Sequence, residues 1–297
     1  MMEPLAVINC PVCNAPGATS VWTIASYTVS RCQRCTHLFV SAGMAPDELD
    51  HAYEREYYDA GGSPTRTGYE DYLANAPLRM QGFAKRLREL ESLTGGQGCL
   101  LDFGCAVGLF VKVAVDAGWD AIGYERSTWA AAYGRQHFGI TIESGQGGQF
   151  PGFDRSFDLV TMWDVLEHLE DPRGVVQSVA GWLKPGGVLA LNTVDSGSLG
   201  ARLAGQHWRH LAPPHHLQYF TRASLTELLR GAGFRVIARQ SQGVMWSADR
   251  RRGQLRGWRA TLDEVAAHWR TRTVADALHL LDEIDIVAVL DTPRLAA

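Results

Sequence analysis

The 297-residue sequence contains no apolar run approaching the ~20 residues that span a bilayer, so no membrane span is expected. The opening Met1-Met2-Glu3-Pro4 lacks a basic region followed by a long apolar one, so no secretory signal is expected either, and a cytoplasmic protein is. Cysteine is scarce. Six residues are too few for a disulfide scaffold at this length, and a reducing compartment leaves them as thiols or metal ligands. A basic surplus is also missing. The formal net charge of −4 argues against a protein that grips long nucleic acid by its phosphates. Internal repeats and low-complexity tracts are absent. What remains, 46% hydrophobic and 20% charged, is the composition of a globular chain with a sizeable core and additions to it.

Four segments are legible. Residues 1–45 hold four of the six cysteines and little helical periodicity. Residues 46–95 form a helical linker or cap, with a helix from Tyr72 to Leu90 that ends at Gly95-Gly96. Residues 96–243 alternate short apolar runs with helical stretches, the pattern of a parallel sheet covered by helices. The candidate strands are Cys99–Phe103, Ala121–Tyr124, Phe157–Met162, Gly187–Leu191, Phe234–Ile237 and Ile284–Val289, with Ile140–Ile142 a weaker one. Residues 244–283 form a helical insertion. Within it Leu255, Trp258, Leu262, Val265 and Trp269 step by three and four, marking one face of an amphipathic helix.

Leu100-Leu101-Asp102-Phe103-Gly104-Cys105-Ala106-Val107-Gly108 reads as a strand, a glycine-rich turn and a helix start. Gly104 and Gly108 allow a sharp turn and close approach of the backbone to a ligand. Alone, such a turn serves a nicotinamide cofactor, a nucleotide or packing. Glu125 ends the next strand, where a carboxylate can accept both ribose hydroxyls of an adenosine. Asp102 at the mouth would repel a pyrophosphate but suits an ammonium group. S-adenosylmethionine carries an amino group and a sulfonium and no phosphate, so these residues favour it over NAD.

On these residues, about 98–240 of the sequence resemble the class I S-adenosylmethionine-dependent methyltransferases. Asp102 to Gly108 resemble the family's first motif, with Ala106 where glycine is usual. Tyr124-Glu125 resemble the ribose-binding end of strand two, Phe157 to Pro172 the fourth-strand motif, and Leu183-Lys184-Pro185-Gly186-Gly187 the turn before strand five. The resemblance implies an α/β fold, a Rossmann-like seven-stranded sheet with helices on both faces, spanning 96–297. Its last strand, Ile284–Val289, would be antiparallel. The resemblance also implies S-adenosylmethionine held by Asp102, Gly104, Cys105, Ala106, Gly108, Glu125, Arg126, Trp163 and Asp164.

Asp164, Glu167 and His168 are spaced i, i+3, i+4, one face if that turn is helical. Downstream lie His207, Trp208, His210, His215 and His216. Two readings compete. In one, transfer is metal-free, and His168, His215 or His216 is a base for a phenol or hydroxyl. In the other, Asp164, Glu167, His168 and a downstream histidine bind a divalent ion, similar to the Glu-x-x-Glu-His set of ubiquinone-pathway O-methyltransferases and small-RNA 3′-end methyltransferases. A third possibility is that Glu167 and His168 only hold the loop together. Pro213 to Thr221 resemble a segment of small-molecule methyltransferases of ubiquinone and natural-product type, with Thr221 capping a helix over Arg222–Ala232. This implies a small organic acceptor, with O-methylation first.

Cys10-Pro11-Val12-Cys13 and Cys32-Gln33-Arg34-Cys35 are two C-x2-C knuckles separated by 18 residues. Four thiolates at this spacing predict a structural Zn²⁺ in a ribbon over residues 1–45. The ribbon is expected to act as a lid or scaffold bounding the acceptor pocket. Arg250, Arg251, Arg252, Arg256 and Arg259 form either a solvated face or a dock for an anionic or carrier-bound acceptor. Trp246, Trp258 and Trp269 pack in the core, cover the acceptor or form a homodimer seam. The competing functions are a sugar C- or N-methyltransferase, a ribbon-guided RNA methyltransferase, and a non-catalytic partner that keeps the fold.

Overall fold

The structure, a computed structural model, describes residues 9–42, 73, 75–145, 153, 157–242 and 282–291. The arginine cluster, Trp246, Trp258, Trp269 and the amphipathic pattern of 255–269 lie outside them, as do residues 46–72.

Near the N-terminus, β1 (Ala18–Ile24), β2 (Tyr27–Cys32) and β3 (Leu38–Ala42) form an antiparallel meander. The sequence reading missed these strands because their burial alternates irregularly around the two cysteine knuckles. Helix α1 (Ala76–Thr94) has Pro77 in its first turn and ends on Gly95 in the left-handed conformation, φ 77°. Then follow β4 (Cys99–Phe103), α2 (Leu109–Asp116), β5 (Asp120–Glu125), α3 (Thr128–Phe138), β6 (Thr141–Ser144) and β7 (Phe157–Trp163). After β7 comes a 3-10 turn, Leu166–His168, then α4 (Pro172–Trp182), β8 (Leu183–Val194) and the short α5 (Leu199–Ala204). The chain continues through β9 (Gln218–Tyr219), α6 (Arg222–Gly231), β10 (Phe234–Gln242) and β11 (Glu283–Leu290). Thr221 caps α6 as expected, in a capping box with Ser224.

The main sheet has seven strands in the order β10-β11-β8-β7-β4-β5-β6. β4, β5, β6, β7 and β8 pair in parallel, and β11 is antiparallel to both its neighbours. The expected Rossmann-like sheet with its reversed last strand is the one observed.

Alternate strand residues feed two cores. Leu101, Val160, Leu189 and Leu191 pack with α4 and α6 on one face. Leu100, Leu159, Val188 and Ala190 pack with α1 and α2 on the other. A sheet buried on both faces needs apolar residues at successive positions, which is why the strands read as unbroken apolar runs.

The two units are not separate. β3 continues through β9, so the N-terminal meander and residues 218–219 form one four-stranded sheet, β1-β2-β3-β9. Cys10, Cys32, Cys35 and Phe39 share a core with Leu166, Phe220 and Leu225.

Candidate active site and four-cysteine centre

The carboxyl ends of β4, β5, β7 and β8 carry the polar side chains, as an open α/β sheet requires of a ligand site. At the end of β4, Gly104 and Gly108 take φ +77° and +80°. A side chain at Gly104 would meet Val165 Cγ2 at 2.5 Å, so both backbone angle and space demand glycine. Ala106 also sits in the left-handed region, at φ +52°, which explains why glycine is usual there. Ala106→Gly is therefore expected to stabilise the chain by about 0.5–1 kcal/mol, read as a higher melting temperature. A variant that melts no higher than the parent contradicts this assignment of strain.

Glu125, buried at the end of β5, spans the turn. Its Oε2 accepts from the Ala106 amide at 2.7 Å and its Oε1 from the Ser127 amide at 2.8 Å. A carboxylate oxygen can accept more than one hydrogen bond, which is the chemistry a diol needs. Asp102 is buried and accepts from the Thr161 hydroxyl at 2.6 Å. Burial raises its pKa to about 7, partly opposed by that hydrogen bond and reinforced by the charge of Glu125. A cation brought beside Asp102 would offset this cost of ionisation. Cys105 is buried against Gly123, and Arg126 follows Glu125. Trp163 packs against Phe83 and Phe110, with the Arg86 guanidinium 4.7 Å above its ring.

Beyond β7 the backbone departs from the helical reading. Asp164 has φ +54°, and only Leu166–His168 form the 3-10 turn. Asp164 faces β8 instead: its amide donates to Asn192 Oδ1 at 2.8 Å, and Asn192 Nδ2 donates back to its carboxylate at 2.6 Å. Glu167 is buried and accepts from the Thr193 hydroxyl at 2.9 Å. Burial, then the Asp164 charge, hold its carboxyl well above the usual range.

Two histidines converge on Glu167. His168 Nδ1–H donates to the His215 carbonyl at 2.6 Å, and His216 Nδ1–H to the His210 carbonyl at 2.9 Å. A carbonyl only accepts, so each ring keeps Nε2 as its lone-pair nitrogen. The rings stand 4.9 Å apart, edge to face. Burial lowers His168 to about 4, and burial with the neighbouring His168 lowers His216 to about 3, so both are neutral at pH 7. Ligand atoms of Glu167, His168 and His216 lie within 4.8 Å of one another. His215 contributes its backbone carbonyl to this group.

Sequence reasoning passed over Asn192, Thr193 and Glu283. The first two carry a signal, being polar residues that close an apolar strand run. Glu283 carries none. Its pKa of about 8 arises from burial and then the nearby charge of Asp164, a neighbour supplied by strand pairing.

The four cysteines also converge. Cys10 and Cys35 sulfurs are 3.5 Å apart and Cys13 and Cys32 sulfurs 3.6 Å apart, with all four within 4.8 Å of one another. A tetrahedral ion with bonds of about 2.3 Å places its sulfurs roughly 3.8 Å apart, so the set fits Zn²⁺. The Cys35 thiol's hydrogen bond draws Cys10 down to about 5 while Cys35 is raised: crowded sulfurs cannot all ionise without a cation.

Comparison with known proteins agrees with this fold. The profile of a family described as a methyltransferase domain matches residues 72–239. A ubiquinone biosynthesis O-methyltransferase of Xanthomonas euvesicatoria pv. vesicatoria is 28% identical over 235 residues, covering 72% of this chain and 90% of that relative. One of Actinobacillus pleuropneumoniae serotype 7 is 31% identical over 106 residues, covering 32% of this chain and 45% of its own length. Among solved structures, an S-adenosylmethionine-dependent methyltransferase from Mesorhizobium loti superposes with a TM-score of 0.50 at 19% identity, covering 71% of this chain and 99% of that one. One from Archaeoglobus fulgidus gives 0.50 at 16% identity, covering 73% and 98%. The structural likenesses carry the fold alone.

Proposed function

This chain belongs to the class I S-adenosylmethionine-dependent methyltransferases, and from that membership we propose that it transfers a methyl group to a hydroxyl oxygen of a small organic acceptor. The observation that carries the acceptor side is the grouping of Glu167, His168 and His216 past β7, beside the turn expected to hold the donor. The O-methyltransferase relatives support oxygen as the atom methylated.

In this reading Glu125 takes the ribose diol, and Asp102 meets the ammonium of the donor. The sulfonium is already activated, so the protein supplies alignment and a route for one proton. The acceptor oxygen bonds to the methyl carbon as the carbon–sulfur bond breaks, and the hydroxyl proton leaves to the Nε2 of His168 or to water. The four cysteines hold Zn²⁺ in a scaffold over residues 1–45, the methyltransferase domain spans 96–297, and 46–95 link and cap them. Among the described residues no helix is long and apolar enough to cross a membrane.

A second reading is favoured by one observation: two neutral imidazoles and a carboxylate within 4.8 Å are a ligand set for a divalent ion. Glu167, His168 and His216 would hold it, and such an ion would make the acceptor hydroxyl more acidic. Asp164 would not be a direct ligand, since Asn192 engages it.

The test is methyl transfer to a panel of phenols and catechols, using donor labelled on its methyl group. His168→Ala should lower kcat about 100-fold while donor affinity stays within twofold. Unchanged turnover would remove His168 from the reaction. Chelation that leaves the cysteine-bound zinc in place divides the readings: full activity excludes the ion, and loss restored by added Mg²⁺ or Mn²⁺ excludes the metal-free route.

A further inference from the structure

We infer that Gln218 and His37 are positioning residues through which the four-cysteine module sets the geometry of the Glu167–His168 turn. The inference rests on the acceptor-side role proposed for that turn, and it adds what controls it.

β9 is only two residues long, too short to hold its place by itself. Among the described residues its sheet partner is β3, the strand that follows the second cysteine knuckle. Leu38 pairs with Tyr219 and Phe39 with Gln218. The Val40 amide extends the ladder to the Leu217 carbonyl at 2.9 Å. The segment Leu217–Gln218 also grips the Glu167–His168 turn twice. The Leu217 amide donates to the Glu167 carbonyl at 2.6 Å, and Gln218 Nε2 donates to the Leu169 carbonyl at 2.8 Å. These two carbonyls flank His168.

The Gln218 amide cannot rotate freely. Its Oε1 accepts from His37 Nε2 at 2.9 Å, while its nitrogen is committed to Leu169. Flipping it would face two oxygens and two donors. His37 is fully buried between Phe39 and Phe220, two positions beyond Cys35. Side chains that only filled this core would be apolar. A buried amide incurs desolvation unless both its ends are satisfied, as those of Gln218 are. His37 has its Nε2 bonded and its Nδ1 without a partner among the described residues, so the Gln218 bond is what fixes the imidazole in one arrangement. The path from cysteine sulfur to His168 is therefore contiguous: knuckle, His37, Gln218, turn. Contiguity alone does not prove coupling, so the test measures coupling directly.

The experiment uses the full zinc-loaded chain and needs no acceptor. Native-state hydrogen exchange on the unmodified protein should show the amides of Val40 and Leu217 opening in one event, distinct from those of Val160 and Met162 in β7. Gln218→Leu and His37→Leu should each lower protection of the Leu217 amide at least tenfold. They should also turn the single Nδ1–H tautomer of His168, read by long-range proton–nitrogen NMR, into a mixture. Bound zinc should stay at its parental level and affinity for S-adenosylmethionine within twofold. His37→Gln, which keeps a donor at the same reach, should restore the parental spectrum.

Leu217 opening with β7, or both leucine variants leaving Leu217 protection and the His168 signal within twofold of parent, overturns the inference. Should a leucine variant fail to fold, the exchange grouping in the unmodified chain decides. If His168→Ala retains full turnover, the reading of the site fails while this coupling can still be observed. If the exchange result fails, the reading stands without it.

Discussion

Glu125→Ala is expected to weaken S-adenosylmethionine binding on the order of 10³-fold, measured by calorimetry. The carboxylate is the expected acceptor for both ribose hydroxyls, and hydrogen bonds to a charged group contribute about 1.5–3 kcal/mol each. A second effect acts in the same direction. Glu125 also holds the amides of Ala106 and Ser127, so its removal loosens the glycine turn proposed to face the donor. Ala106 sits in a left-handed conformation and would relax once released. Glu125→Gln separates the two effects. Its amide retains one acceptor oxygen but loses the charge and one of the two amide contacts, so its affinity should fall between parent and alanine. Unchanged affinity in Glu125→Ala would remove the residue from the donor site.

Cys35→Ser, or removal of metal with a strong chelator, is expected to unfold the N-terminal meander. Structural zinc bound by four thiolates supplies about 10–16 kcal/mol at neutral pH. That is comparable with the entire stability of a typical domain, about 5–15 kcal/mol. Cys35 is buried, and its sulfur is 3.5 Å from that of Cys10, so a serine there leaves a gap in the coordination set. Elemental analysis should find one zinc per parental chain and none in the variant, and exchange protection of β2 should be lost. The effect should not stop at residue 42. Leu166, Phe220 and Leu225 share the core of the cysteine module, so the melting temperature of the remainder should drop as well. A zinc-free chain that melts with the parent would show that the sulfurs are merely neighbours.

Much of this molecule was legible in order along the chain. The strand, glycine turn and helix from Cys99 to Leu109 are contiguous, and Glu125 closes the following strand one helix later. Each knuckle needs only two residues between its cysteines. Thr221 caps its helix because its hydroxyl reaches an amide three residues on, a contact independent of the remaining fold. Boundaries were shorter than observed where a strand closes in polar residues: the run Gly187–Leu191 continues through Asn192 and Thr193 to Val194.

Amino-acid order alone thus determined the apolar runs that become strands, the glycine turn with Glu125 one helix later, and the two cysteine knuckles, since each depends on backbone preferences and burial patterns spread over a few neighbouring residues. The seven-stranded sheet was implied by the resemblance those motifs carry. Tertiary structure alone decided which histidines meet Glu167, why Asp164 turns toward Asn192, and that His37 reaches a glutamine 181 positions away. The Asp164 contact comes from the pairing of β7 with β8, and the others from a two-residue strand captured by a distant sheet edge, and no local periodicity records where such partners will lie.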